Sequence, residues 1–505
     1  MLKKTVLLLS VMILAACGGD SGTSSNNASV GTFADAGLVS GLQYRTATQS
    51  GVTDSSGTFL YMPGETVTFS IGNIVLGQAA AAPTLNTFAL VGMTPPLTSL
   101  GVTNKTPQAR LFRQVINISV LLQTLDTDAN PTNGIAIPSQ SIQLAADTTL
   151  NFNQEIQQFF SSFALRQYIG RSRTAGLWGG NRAIVLSGYA ANRLYAGLGL
   201  SPSLFATSKY ESFSESGSSS GSTTYTYDAN GNEMEMKRFD STGVFQYRFT
   251  DTFDANGNQI EAKNFNDSNV LEYSYTLSYD ANGNQIESKS FDGNGNLQDR
   301  STYTYDVNGS LIESKYFDIA DKLTDRYTNN YDTNGNNIES RGFNSAGELR
   351  YIEAYTYDIN DRRIERKSFD SAGELTYLVT YAYDTNGNQI ESKSFDRNNV
   401  LQHQYTYAYD ANGNSIESKS FGRYNVLRWL YTQTYDVNGN RIESKYFDNN
   451  NVLQYRDTLT YDANGNLTED KSYDDNDALN RSYVYTVSPI SGWARILGSN
   501  DDDDD

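Results

Sequence analysis

Asp280, Asn282 and Asn284 set three side-chain oxygens at i, i+2 and i+4, the spacing with which a calcium-binding loop begins. The same order, Asp followed by Asn two residues later, comes after each of ten aromatic residues: Tyr227, Phe253, Tyr279, Tyr305, Tyr331, Tyr357, Tyr383, Tyr409, Tyr435 and Tyr461. Two chemistries fit. The oxygens could ligate a hard cation, or Asp and Asn could close tight turns by bonding their own backbone. Ser310 and Arg362 occupy the last place in two copies, and an arginine opposes a cation. The turn is therefore the expected role, with calcium as the alternative. A second acidic triplet, Asp126, Asp128 and Asn130, ends a helical pattern. Pro131 stands where a calcium loop needs glycine, and Ile137 where it needs a bidentate glutamate. A plain helix-ending loop is expected there.

Other reactive chemistry is scarce. The chain has one cysteine, Cys17, and one histidine, His403. That excludes an internal disulfide framework and any multi-cysteine zinc site. Gly217-Ser218-Ser219-Ser220-Gly221 spells a nucleophile-elbow motif. It lies in low-complexity sequence with no neighbouring histidine, so Ser219 is not assigned a catalytic role. Asp280 and Glu287 are carboxylates repeated ten times over, which is poor ground for a single active site. No catalytic residue is assigned and a non-enzyme is expected. A net charge of −19, from 38 Lys and Arg against 57 Asp and Glu, argues against nucleic acid as a partner.

The elements that must position these residues are repeats. Successive Tyr-Asp pairs lie 26 residues apart without one insertion. A fixed period of this kind marks units that bury surface against their neighbours. In one unit, Gln285 to Phe291 reads as a strand, Asp292 to Asn296 as a turn, and Leu297 to Tyr305 as a second strand. Asn-Gly at the turns is a strong hairpin signal, because both residues accept positive φ. Along the second strand Leu401, His403, Tyr405, Tyr407 and Tyr409 alternate with polar residues, predicting ladders of Tyr between strands. His403 falls in register with Tyr273, Tyr351, Tyr377, Trp429 and Tyr455, an aromatic strand position. Some twenty such strands would make a sheet roughly 95 Å long, and twist predicts that it coils into a spiral or solenoid.

The YDANGN core, the IESKSFD strand and the Tyr-rich strand together resemble the RHS or YD-repeat family over residues 225–486. Asn360-Asp361 departs from the core in the sixth copy. The resemblance implies an exported β-sheet that spirals as a strip or shell, which in toxin members encloses a C-terminal toxin. Here the array is short, and a C-terminal cap and acidic tail, residues 487–505, are expected instead of a toxin.

Upstream, residues 1–16 have the Lys3-Lys4 start and short apolar run of a signal peptide. Leu14-Ala15-Ala16-Cys17 resembles a bacterial lipobox, which implies cleavage before Cys17 and lipidation of its thiol. Gly18, in place of Asp, favours the outer membrane within that resemblance. Residues 17–31 read as a flexible tether. Residues 32–100 alternate apolar and polar positions, as at Val67, Phe69 and Ile71, and predict a small β-sandwich. Gly51 to Gly77 is similar to prealbumin-like or carboxypeptidase-regulatory-like modules, which implies a spacer or docking role. Residues 101–205 predict helices. One is capped by Thr106 and Pro107, with Leu111, Val115, Ile118, Leu122 and Leu125 on one face. Others run over Gln154 to Ile169 and Ala183 to Leu198. Residues 206–224 read as a Ser-rich linker. The whole predicts a mainly β, lipid-anchored outer-membrane or cell-surface protein whose array offers a face to carbohydrate or protein. The alternative is a shell or remnant of an RHS-type toxin-delivery system.

Overall fold

The computed structural model describes residues 28–178 and 183–498. The signal peptide, Cys17 and the acidic tail Asp501 to Asp505 lie outside the described residues.

The first unit is built on two small sheets. Its strands are β1 (Ser29–Ala34), β2 (Val39–Ser40), β3 (Gln43–Arg45), β4 (Ser50–Val52), β5 (Thr58–Tyr61), β6 (Thr66–Ile71), β7 (Ile74–Ala80) and β8 (Thr84–Asn86). One sheet has the order β5-β1-β8 and the other β4-β3-β6-β7. Phe33 of the first sheet meets Phe69 of the second with ring centroids 4.6 Å apart, so the two sheets share a packed face. The unit starts earlier than the pattern indicated, at Ser29, inside the stretch read as tether.

The helices follow as α1 (Pro107–Leu125), α2 (Gln140–Leu144), α3 (Ile156–Ser161), α4 (Phe163–Thr174) and α5 (Ser187–Gly197). The Thr106 hydroxyl accepts the Ala109 N–H and Pro107 opens α1, as the capping residues predicted. Leu111 is not on the buried face: it is exposed, and Phe112 and Ile116 are buried instead. The helix predicted over Gln154 to Ile169 is broken in two, because Ser162 takes an extended conformation between α3 and α4. A strand at β9 (Ile135–Ala136) pairs in parallel with β2 and ties the helices to the strands before them. Phe33, Phe69, Val115, Leu121, Tyr168 and Leu194 belong to one buried core. Residues 32–100 and 101–205 therefore form one body rather than two.

The second unit is a closed antiparallel barrel of 22 strands, β10 (Leu204–Ser214) through β31 (Leu479–Ile490), each paired with the next. This corrects the expected spiral or solenoid. Closure comes from β10, which pairs with β31 from Leu204↔Ile490 to Ser214↔Arg481. Residues 206–224, read as a linker, are most of β10 and β11 (Ser219–Tyr227). Closing the ring leaves no unpaired edge, which is the liability an open strip of this length would carry. Each strand is staggered by about one residue, so the register returns displaced by roughly 22 residues after one circuit. Equal stagger and strand number tilt the strands by about 35° and put opposite walls about 40 Å apart. That is far wider than side chains can fill.

The two faces of the wall differ. One carries Glu287, Lys289, Arg300 and Thr302; Lys289 donates to Glu287 within its own strand, and the same pair recurs from Lys209–Glu211 to Lys471–Glu469. The other carries Ser288, Ser290, Ser301, Tyr275 and Leu277. Ile260 and Leu277 line a cavity beneath the first unit, so the Tyr–Ser face looks into the lumen. The outer face repeats a Glu–Lys pair where a membrane-spanning barrel needs an apolar band. Among the described barrel strands the buried apolar side chains are Leu204, Ala206 and Val379.

The first unit sits across the barrel end formed by the Tyr-Asp turns. Arg166 donates to Gly309 O at 2.9 Å, Arg110 to Asn412 O at 2.9 Å, and Asn104 to Asn438 O. Asn232 donates to the Tyr189 hydroxyl at 3.0 Å. After β31 the chain returns to this cap: α6 (Ala494–Gly498) starts beside Trp493, whose ring packs on Phe112 and Tyr195. Of residues 487–505, expected as a C-terminal cap and acidic tail, residues 487–498 thus add the end of β31 and a helix to the N-terminal cap.

Candidate functional site

The Tyr-Asp turns are locked from within. The Asp280 Oδ1 accepts the N–H groups of Asn282 and Asn284 at 2.8 and 2.9 Å, while its Oδ2 accepts both asparagine amides at 3.3 and 3.0 Å. Gly283 supplies the positive φ, +80°, that closes the turn. The structure therefore gathers Asp280, Asn282 and Asn284 in one turn, but both asparagines present amide hydrogens to the carboxylate, as a turn requires. Equivalent bonds hold Asp384 below the ordinary carboxylate range, the Asn388 amide being the largest cause. Asp126 Oδ1 accepts the Ala136 N–H at 2.9 Å, and Asp128 accepts from Asn130 N and Asn133 Nδ2. Asn130 Oδ1 accepts the Thr132 hydroxyl at 2.6 Å. These three residues shape the loop after α1. No group of three His, Cys, Asp or Glu side chains gathers among the described residues.

Every Tyr-Asp turn also has a hydroxyl clasp, which the turn after Phe253 lacks. The Tyr305 hydroxyl donates to Gln285 O at 2.9 Å, Tyr331 to Leu311 O at 2.8 Å, and Tyr461 to Arg441 O at 2.9 Å. The donor always reaches back 20 residues to the start of the neighbouring strand, and joins one hairpin to the next across the cap end of the barrel. Ser219 lies in β11, where its hydroxyl accepts the Gly221 N–H. His403 belongs to a strand of the eighth repeat, so the motif has no histidine partner.

The lumen face carries a belt of rings toward the open end. Tyr446 stacks on Tyr455 with centroids 5.0 Å apart and planes 7° from parallel. Trp429 lies 6.2 Å from Tyr446 and 6.2 Å from Tyr405. A second group joins Tyr316, Tyr327 and Tyr351, and a third Tyr247, Phe249, Tyr273 and Tyr275. These rings are not a dry core: Tyr275 is 45% and Tyr455 40% exposed. Partial burial pushes the Tyr455 and Tyr351 hydroxyls above their ordinary range, so both stay protonated donors at neutral pH. Burial and a hydrogen bond to Glu353 push Tyr355 up to about 12. Polar groups stand between the rings: Asp325 pairs with Arg350 at 2.5 Å, and His403 Nδ1 lies 3.1 Å from Arg428. Flat apolar faces beside hydroxyls and carboxylates can hold rings that are apolar on one side and hydroxylated at the edge.

The strand position of His403, Trp429 and Tyr455 is visible in the 26-residue register. Tyr316 and Tyr446 escape it, because they replace Ser at the position of Ser290. Comparing that one column across copies is the signal that finds them. The cap residues Arg166 and Tyr189 have no sequence signal of meeting the turns.

No protein-family model matches the chain, and no curated protein matches it. Solved structures overlap parts of it. The TcdB2-TccC3-TEV structure is 14% identical with a TM-score of 0.29, covering 52% of this chain and 16% of that one. A Photorhabdus luminescens Tc holotoxin pore is 14% identical with a TM-score of 0.28, covering 53% and 16%. A porin-like protein from Bacteroides uniformis is 13% identical with a TM-score of 0.20, covering 56% and 98%. The chain thus spans only a small part of the first two. Similarities this low carry no argument about activity.

Proposed function

We propose that this is a non-enzymatic, exported binding protein, anchored to the outer membrane through lipid on Cys17, whose barrel lumen holds a carbohydrate chain. The reading rests on the belt, above all on Trp429, Tyr446 and Tyr455 standing side by side and half open to solvent. Sugar rings stack their C–H faces on such aromatics and give their hydroxyls to neighbouring carboxylates. The wall is wide enough for a chain to enter from the uncovered end. Calcium has no part in this reading.

Glycan-array screening of the whole protein tests it, followed by titration of the best glycan against W429A, Y446A and Y455A. Each variant is expected to weaken binding about fivefold or more, given that a stacked aromatic contributes roughly 1–3 kcal/mol. Absence of any glycan ligand, or equal affinity in all three variants, overturns the reading. Anchoring is checked separately: Cys17→Ser should move the protein from the membrane to the soluble fraction.

A second reading, a shell in an RHS-type delivery system, is favoured by one observation: the sheet closes and is capped at one end. Co-purification of a protease-protected polypeptide inside the barrel would support it over the first.

A further inference from the structure

The end of the barrel away from the cap is a ring of hairpin turns, and their exposed residues are not randomly arranged. Turns 344–348 and 370–374 end in Glu348 and Glu374; the next two, 396–400 and 422–426, carry Arg397 and Arg423 in second place, after Asp396, whose carboxylate is bonded within its own turn, and Gly422. Four consecutive turns thus read acidic, acidic, basic, basic. All four side chains are exposed. Most other cations of the barrel wall sit in ion pairs, such as Lys289–Glu287, Arg300–Asp321 and Arg366–Glu353. No ion pair involves Arg397, Arg423 or Glu374 among the described residues.

The same rim exposes large apolar side chains. Val244, Val270, Val426 and Val452 stand at turn ends, 53–59% exposed, with Tyr424 at 83% and Ile319 at 68%. Soluble surfaces seldom set so many on one contour.

We propose that two copies of this chain join open end to open end through this rim. Two identical rings match in radius by construction. A two-fold axis between turns 370–374 and 396–400 brings Glu374 to Arg397 of the second copy, and Glu348 to Arg423, each pair made twice. The order acidic, acidic, basic, basic is self-complementary under that operation, as an isologous interface demands. On the far side the same axis lays the turn of Val244 on its own copy and brings Ile319 to the turn of Val452. Like charges meet as well: Glu215 faces Asp267, Asp292 faces the turn of Asp474, Asp475 and Asp477, and Asp240 faces its own copy, so the opposite-charge pairs and the apolar side chains must outweigh them. The pair encloses one continuous lumen with a cap at each outer end.

Sedimentation velocity on the chain expressed without residues 1–17 tests the proposal. The expected species at low salt is a dimer, which dissociates as salt rises toward about 1 M, where charges are screened within about 3 Å. R397E/R423E and E348R/E374R should each be monomeric. Mixed together, they should restore a dimer containing one of each, which also shows that both are folded. A monomer at low salt overturns the proposal, as does a dimer indifferent to both charge reversals, or failure of the mixed variants to pair. Glycan binding does not enter this measurement, so its outcome is independent of the proposed ligand.

Discussion

Cap and barrel are held together by different physics. In the cap, Phe33, Phe59, Phe69, Val115 and Leu121 have no exposed surface, and the usual dry, close-packed core does the work. The barrel has a wet face on each side of a single-layer wall. Its order comes from a ladder without edges, carboxylates that close the turns, tyrosine clasps and in-strand ion pairs. Each is small: about 1 kcal/mol for a hydrogen bond and less for an exposed ion pair. What they share is repetition. A wall can specify itself without an interior when every copy carries the same local instructions and the last strand meets the first.

The comparison predicts unequal costs for aromatic deletions, and this is the largest expected effect. Phe69→Ala in the cap should cost about 3–5 kcal/mol, the range for a buried Phe. Tyr377→Ala, on the barrel wall and 37% exposed, should cost about 1 kcal/mol. Urea denaturation measures both, and equal losses would erase the distinction.

Acid should separate the two units next. Asp384, held low chiefly by the Asn388 amide, and Asp292, held low chiefly by the Asn296 amide, stabilise the fold while ionised. Their contribution is present above the unfolded value near 3.8 and is lost as pH falls through the lowered folded value. Asp35 behaves oppositely. Burial raises it, against hydrogen bonds from Thr87, Gln123 and Ser119, so its protonated form favours the fold and that contribution is lost as pH rises. Below about pH 4 the barrel should therefore weaken more than the cap, where the lowered carboxylates are Asp54, Glu65 and Asp147 and the raised Asp35 acts against them. Trp429 reports the barrel, and Trp178 and Trp493 the cap. Coincident acid transitions of the three tryptophans, resolved by single-Trp variants, would refute the split.

Smaller still is the clasp. Tyr331→Phe removes only the hydroxyl that donates to Leu311 O and should cost about 0.5–1.5 kcal/mol. Phe253 already lacks this group, so Phe253→Tyr should leave stability unchanged or slightly raised in the same assay. The smallest effect concerns the turns as cation sites. With Asp280 already accepting four hydrogens, adding calcium or a chelator should leave the thermal midpoint unmoved. An upward shift with calcium would restore Asp280, Asn282 and Asn284 as ligands.

Much of the barrel is legible in the amino-acid sequence, because Asn-Gly turns and the 26-residue period are local signals repeated ten times. Closure is not. It depends on residues 204–227, which lack the Tyr-Asp signature and look like a Ser-rich spacer. A trace is there: Lys209 and Glu211 mirror the Glu–Lys pair of the repeats, and Ser216-Gly217 is a hairpin turn between two alternating runs. The break at Ser162 is equally hidden, since the apolar spacing of Phe159, Phe160 and Phe163 continues straight through it. For the candidate site, the column of His403, Trp429 and Tyr455 follows from the period, whereas which face looks inward follows only from the cap.

The cap's grip on separate turns has a consequence for how such a gene can change. Near-identical tandem units invite unequal recombination, which adds or drops copies. Arg166, Arg110 and Asn104 each reach a different turn around a fixed circle. A ring with one unit more or less has a different circumference and offers those carbonyls at other angles. The cap thus acts as a gauge for copy number, and a lineage that lengthens its array must reshape its cap as well.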